Sequence, residues 1–112
     1  MLRALFWLSL LAITIASLAP LAMLPPQAFD LWDKAQHAIA FAWLGLVGFL
    51  AYPAHMGRVL FGLLLYGGAI ELAQAATGWR YGEWADLAAD VVGIVIAATV
   101  WLLLRRHRAI RT

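Results

Sequence analysis

The stretch GGAIELAQAATGWRYGEWADLAADVVG, residues 67–93, decides how this chain folds. It lies between two apolar runs, yet it carries four of the six acidic residues and one of the eight basic residues of a chain that is 65% hydrophobic. Charged residues near the ends of apolar helices are costly, so by default they indicate a functional site. The polar residues on which this prediction rests are Glu71, Gln74, Arg80, Glu83, Asp86 and Asp90.

The composition excludes an ordinary soluble domain. Mean hydropathy is +0.85 and only 12% of the residues are charged, whereas soluble domains carry about a quarter. A length of 112 residues allows one domain with about four helical spans of roughly 20 residues each. The absence of cysteine excludes disulfides and thiolate metal sites. We therefore expect an all-α integral membrane protein, with residues 1–112 forming a single four-span domain.

Apolar runs place the four predicted membrane spans. The first resembles a signal peptide, but its apolar run is too long for one and Pro20 would follow the cleavage site, so we expect it to stay uncleaved. Pro25, Pro26 and Pro53 are expected to end the first two spans, because proline cannot donate a backbone hydrogen bond. The spans are predicted at about residues 4–24, 34–52, 59–76 and 86–104.

The distribution of basic residues predicts the orientation. With four spans and a cytoplasmic N-terminus, only Lys34 and Arg80 face outward, so we expect both termini in the cytoplasm. All six acids and His37 then lie on the outer side, which predicts a polar pocket in the outer leaflet. The sequence pI near 9.5 reflects orientation signals and does not indicate nucleic-acid binding. The bases expected inside are Arg3, Arg58, Arg105, Arg106, Arg108 and Arg111.

Helical spacing brings the polar residues of three spans to a similar depth. His37, Glu71 and Asp90 are expected roughly 5–8 Å below their helix ends, at about 1.5 Å per residue. Asp33 precedes His37 by four residues, so the two share a helix face, and we expect Asp33 to orient the His37 ring. The alternative is a purely structural network in which the basic residues neutralise nearby acids. Six acids against two bases leave a surplus of negative charge, which favours a functional pocket.

The residue types suggest separate roles within this pocket. The candidate catalytic residues are His37, Glu71 and Asp86, of which the first two could act as general base or acid. Asp86 and Asp90 could hold a divalent cation, and their hard oxygen ligands favour Mg²⁺ or Ca²⁺ over Zn²⁺. Lys34 and Arg80 would hold an anionic group such as phosphate. The candidate ligand-binding residues are Asp33, Lys34, Gln74, Arg80 and Asp90.

Two motifs resemble those of VanZ-like membrane proteins. The segment DKAQHAIAFAWLG, residues 33–45, resembles the start of the family's second span. The run Glu71-Leu72-Ala73-Gln74, followed by Arg80, Asp86 and Gly93, is similar to the family's second signature. Many members carry asparagine where this chain has Asp90, so the resemblance does not require a fixed charge there. The family positions present here are Asp33, Lys34, His37, Phe41, Gly45, Glu71, Gln74, Arg80, Asp86, Asp90 and Gly93.

The resemblance implies a multi-pass protein of the bacterial cytoplasmic (inner) membrane, from a family whose named member is associated with low-level resistance to the glycopeptide teicoplanin. Three functions stay open. The pocket could bind an envelope lipid or lipid-linked headgroup, with a role in glycopeptide tolerance or envelope homeostasis. It could instead belong to a membrane enzyme acting on a phosphate-bearing lipid, or to a small proton-coupled exporter. The expected partners are the lipid bilayer and a lipid-linked envelope ligand, and the sequence predicts no oligomeric state.

Overall fold

The computed structural model describes residues 1–19, 30–78 and 84–111, with the side chains of residues 30–33 and 111 excepted. These residues form four α-helices and contain no strand, so the predicted all-α class is confirmed. The helices are α1 (Leu2–Leu18), α2 (Asp30–Ala51), α3 (Met56–Thr77) and α4 (Trp84–Arg111).

Three of the described helices are long and apolar enough to cross a membrane. The qualifying segments are Lys34–Ala51 in α2, Met56–Thr77 in α3 and Trp84–Ile110 in α4. α1 is apolar as well, but its 17 residues extend only about 25 Å, against a hydrocarbon core of about 30 Å. The fold is therefore that of a helical membrane protein, and a fourth crossing by α1 stays a prediction.

The first and last helices, α1 and α4, end at different positions from the predicted spans. α1 ends at Leu18, because Ala19 adopts an extended conformation with φ −64° and ψ 144°. Ala19 precedes Pro20, and the proline ring disfavours the α conformation in the residue before it. The helix thus ends before the expected break at Pro25 and Pro26, which lie outside the described residues. α4 continues to Arg111, so the basic C-terminal residues extend the helix beyond the predicted boundary at 104.

Backbone hydrogen bonds define the start of α3, and a glycine in the left-handed conformation defines its end. The turn between α2 and α3 closes when His55 N donates to Tyr52 O at 3.0 Å, and α3 begins as Val59 N donates to His55 O at 3.1 Å. At the other end the residue after Thr77 is Gly78, with a φ of 79°. Glycine adopts this left-handed conformation without a steric cost, which makes it a common helix terminator.

The contact between α2 and α4 is the most extensive in the fold. Gly93 of α4 lies against the backbone of α2, where a Cβ atom would come 2.2 Å from Ala38 O and 2.9 Å from Ala42 N. One turn further, the Ala97 side chain lies 2.6 Å from the position that a Cβ of Gly45 would take. Small residues allow such close helix packing, and Gly45, Gly93 and Ala97 lie at this contact. This approach brings the first two turns of α4 beside α2.

α1 packs against α2 and α3. Phe6 contributes to the hydrophobic core and contacts the Tyr52 ring edge to face. Deeper in the bundle, the Thr14 and Tyr66 hydroxyls share a hydrogen bond of 2.6 Å. The other buried core residues are Phe41, Leu44, Val47, Phe49, Val59, Leu63, Ile94, Ala97 and Trp101.

Replacing Gly93 by alanine should lower the free energy of unfolding, because the new Cβ would clash with Ala38 O and push α2 and α4 apart. Overpacking of a close contact costs about 1–3 kcal/mol. Gly68→Ala is the matched control, since a Cβ at that position meets nothing within 4 Å and alanine favours the helix. Unfolding of both variants in mixed micelles, followed by tryptophan fluorescence, measures the difference. Equal stability would contradict the close α2–α4 contact.

Candidate functional site

Polar side chains of α2, α3 and α4 meet at the end of the bundle where α2 and α4 begin and α3 ends. Three carboxylates and one amide are almost inaccessible to solvent: the exposed fractions are 5% for Glu71, 1% for Gln74, 3% for Asp86 and 0% for Asp90. Such burial in an apolar bundle requires compensation from neighbouring groups. We refer to Lys34, His37, Glu71, Gln74, Asp86 and Asp90 as the polar cluster.

The imidazole of His37 is at the centre of the polar cluster. Its Nδ1 lies 2.9 Å from Asp90 Oδ1, and because a carboxylate only accepts hydrogen bonds, Nδ1 is the donor. On the other side of the ring, Nε2 lies 3.9 Å from Asp86 Oδ2. His37 therefore presents both ring nitrogens to carboxylates of α4, which are one helical turn apart.

α3 supplies a third carboxylate to the same place. Ligand atoms of His37, Glu71 and Asp90 all lie within 4.8 Å of one another, with one residue contributed by each of α2, α3 and α4. Asp90 fits against α3 because residue 67 is glycine: its Oδ2 lies 3.1 Å from the position that a Cβ would take there. The three side chains can consequently surround one small cation.

Lys34 is the one lysine of the chain and lies at the edge of the polar cluster. Its Nζ is 3.8 Å from Asp86 Oδ1, and its side chain is 29% exposed while that of Asp86 is 4% exposed. The pair thus extends from the buried carboxylates towards the surface. Lys34 is placed to contact an anionic group that approaches the polar cluster from the end of the bundle.

Gln74 connects the polar cluster to α1. Its Nε2 donates a hydrogen bond of 2.9 Å to Ser17 O, one turn beyond Glu71 on α3. Its Oε1 is buried and accepts no hydrogen bond from any described residue. The sequence predicted Gln74 as a ligand-binding residue, and the structure adds a connection to α1 that the helical spacing did not indicate.

Two of the predicted site residues cannot be placed in this cluster. Arg80 lies outside the described residues, and only the backbone of Asp33 is described, one turn before His37 on α2. The expectation that Asp33 orients His37 therefore stays a prediction. Asp90 of α4 is a described carboxylate that does contact the ring, at 2.9 Å from Nδ1. The sequence pattern gave no signal for this pairing, because helix spacing does not specify how α2 and α4 are rotated relative to each other.

Comparison with protein-family models, with curated proteins and with solved structures gives no match.

Replacing Glu71 by glutamine should leave the free energy of unfolding unchanged or raise it, because the variant keeps the shape and removes an expensive buried charge. Asp90→Ala should lower it by about 1–3 kcal/mol, since it removes the acceptor of His37 Nδ1 and leaves a buried donor unsatisfied. Both values come from unfolding in the same mixed micelles. A loss for Glu71→Gln as large as that for Asp90→Ala would support a purely structural network.

Proposed function

We propose that this is a VanZ-like multi-pass protein of the bacterial cytoplasmic membrane that binds the polar headgroup of an envelope lipid or lipid-linked ligand at the outer side. A divalent cation held by the polar cluster makes the contact. The observation that carries this proposal is the approach of His37, Glu71 and Asp90 from three helices to within 4.8 Å. The role that follows is in glycopeptide tolerance or envelope homeostasis.

The charge of the polar cluster requires a cation before an anionic headgroup can bind. Its described side chains include three buried carboxylates and a single lysine. Carboxylates repel phosphate, and the repulsion is stronger in a low-dielectric site than in water. A divalent ion neutralises two negative charges and keeps positions open for headgroup oxygens, as Mg²⁺ does in phosphate sites. Lys34 at the edge then contributes a second positive charge.

The donor set of the polar cluster widens the choice of ion beyond the Mg²⁺ or Ca²⁺ expected from Asp86 and Asp90. His37 adds a nitrogen ligand, which suits Zn²⁺, and its Nδ1 would release a proton on binding. Zinc bonds of about 2.0–2.2 Å in tetrahedral geometry hold ligand atoms about 3.3–3.6 Å apart. Calcium bonds of about 2.3–2.6 Å allow about 5 Å. The limit of 4.8 Å lies within the range for calcium, whereas zinc would require the ligand atoms to move inward by up to about 1.2 Å.

The resemblance to VanZ-like proteins supports the same site. The residues that carry it are far apart in the chain, yet several of them lie together in the fold. Gly93 belongs to the α2–α4 contact, and that contact places the acids of α4 beside α2. All six residues of the polar cluster are also matched positions: Lys34, His37, Glu71, Gln74, Asp86 and Asp90.

A membrane enzyme acting on a phosphate-bearing lipid is the second candidate. The 2.9 Å contact between His37 and Asp90 favours it, because a carboxylate that orients a histidine is a common general-base arrangement. Both nitrogens of His37 face carboxylates, however, and this geometry suits cation binding better than proton transfer to a substrate. Release of a labelled headgroup by wild-type protein but not by His37→Gln would favour the enzyme.

Cation binding is tested on purified protein that has been stripped of metal and then titrated separately with Mg²⁺, Ca²⁺, Mn²⁺ and Zn²⁺. We expect native mass spectrometry to detect one divalent ion per chain. Glu71→Gln replaces an anionic carboxylate ligand with a neutral amide oxygen and should weaken binding at least about tenfold. Thr99→Val is the matched control, because the exposed Thr99 hydroxyl donates to Val95 O within its own helix, and its ion binding should equal that of wild type.

Retention of a polyprenyl-phosphate lipid should depend on the same ion and fall in parallel in Glu71→Gln. In a deletion strain, wild-type protein should restore glycopeptide tolerance and Glu71→Gln should not. A wild-type protein without a bound divalent ion, or a Glu71→Gln variant that binds the ion with wild-type affinity, would overturn the cation-dependent site.

Topology is tested with single cysteines at the two ends of α3, since the chain has none of its own. Thr77→Cys lies at the end near the polar cluster and should react in intact cells with an impermeant maleimide. Gly57→Cys lies at the other end and should react only after the membrane is permeabilised. The reverse pattern would place the polar cluster at the cytoplasmic side and exclude an outer-leaflet headgroup.

A further inference from the structure

A groove of about 590 Å³ opens between α1 and α3 at the end of the bundle opposite the polar cluster. Ligand pockets in proteins have volumes of about 300–1,000 Å³. The groove shares no lining residue with the polar cluster, so it is a separate site from the proposed cation site. Its character changes along its length, from cationic at the mouth to apolar inside.

The walls of the groove suit a hydrocarbon chain. Phe6 and Leu10 of α1 face Val59 and Leu63 of α3 across it. Tyr66 lines the inner end, and its hydroxyl is already bonded to Thr14 Oγ1 at 2.6 Å and to Leu10 O at 3.2 Å. A polar ligand therefore finds no available hydroxyl at the inner end.

The length of the groove matches the depth of a membrane leaflet. Eight residues separate Arg58 at the mouth from Tyr66 at the inner end, which corresponds to about 12 Å along α3. Half of a hydrocarbon core of about 30 Å is about 15 Å. The groove can thus enclose most of the length over which one acyl chain crosses a leaflet.

The mouth of the groove is built for an anion. Arg3, His55 and Arg58 line it, and none of its described lining residues is acidic. Arg3 contacts the end of α2, since its Nε donates a long hydrogen bond of 3.5 Å to Ala51 O and its guanidinium lies 4.7 Å from the centre of the Tyr52 ring. An arginine that is already positioned loses less conformational freedom when it binds phosphate.

We propose that this groove binds one anionic phospholipid, with an acyl chain between α1 and α3 and the phosphate between Arg3 and Arg58. Positive charge at one end of a membrane protein is explained by orientation alone, but orientation requires neither a groove nor an arginine that contacts the end of α2. Anionic lipids also accumulate at the cytoplasmic surface, where the predicted topology places this mouth.

The test reconstitutes the full chain into vesicles of phosphatidylglycerol and phosphatidylcholine, re-extracts it in mild detergent and records bound lipid by native mass spectrometry. We expect one retained phosphatidylglycerol per chain. The double variant Arg3→Gln/Arg58→Gln should reduce its retention roughly 30-fold, which corresponds to about fivefold for each arginine. Arg105→Gln/Arg106→Gln removes the same charge from exposed positions of α4 outside the groove and should retain the lipid.

A second pair of variants tests the walls without changing charge. Gly62 lines the groove, and a Cβ there meets nothing within 4 Å, so Gly62→Leu should fill the groove and abolish retention. Gly57 is equally open but does not line the groove, and Gly57→Leu should keep the lipid. Three results would each overturn the proposal. The first is equal retention of phosphatidylglycerol and phosphatidylcholine, and the second is an equal loss of lipid in the two variants of either matched pair. The third is a dimer of the chain that carries no lipid.

Discussion

The burial of three carboxylates in an apolar helical bundle is the constraint on which the rest of the structure depends. Hydrocarbon offers no hydrogen bond and little screening, so the protein itself has to supply the compensating groups. α2 provides a lysine and a histidine, and α4 carries two of the acids within two turns of its start. The contact of Gly93 with the α2 backbone makes the pairing possible, because any side chain at that position would separate the donors from the acids.

Much of this arrangement could be predicted from the sequence, because it depends on local features. Apolar runs indicated the helices, and the surplus of acids indicated a shared site. The sequence could not indicate that His37 contacts Asp90, because that contact depends on the rotation of α2 relative to α4. Pro20 indicates that α1 ends before it, but the predicted span followed the apolar run, which continues to residue 24. The groove between α1 and α3 could not be predicted from residue spacing, because it depends on how the two helices pack against each other.

The two ends of the bundle have opposite electrostatic character. One end combines three buried carboxylates with a histidine and a lysine, and the other presents arginines around an apolar groove. α3 connects the two ends, because it carries Glu71 towards its C-terminus and Arg58 near its N-terminus. In the proposed topology, the acidic end requires a cation before it binds a headgroup, while the basic end contacts anionic headgroups directly. A single short chain would thus engage both leaflets by different chemistry.

The hydrogen bonds of α1 have a consequence for the geometry of the proposed cation site. α2 and α4 are in backbone contact at Gly93, so the spacing between His37 and Asp90 is fixed. Glu71 lies on α3, whose contacts with α2 and α4 are less extensive than the contact between those two helices, so a change in the tilt of α3 would alter the distance of Glu71 from His37 and Asp90. Two hydrogen bonds from α1 to α3 restrain the tilt of α3: one joins Thr14 to Tyr66, and the other joins Ser17 to Gln74. In the proposed cation site, the shortest helix would therefore restrain the position of the third ligand, although it contributes no ligand itself.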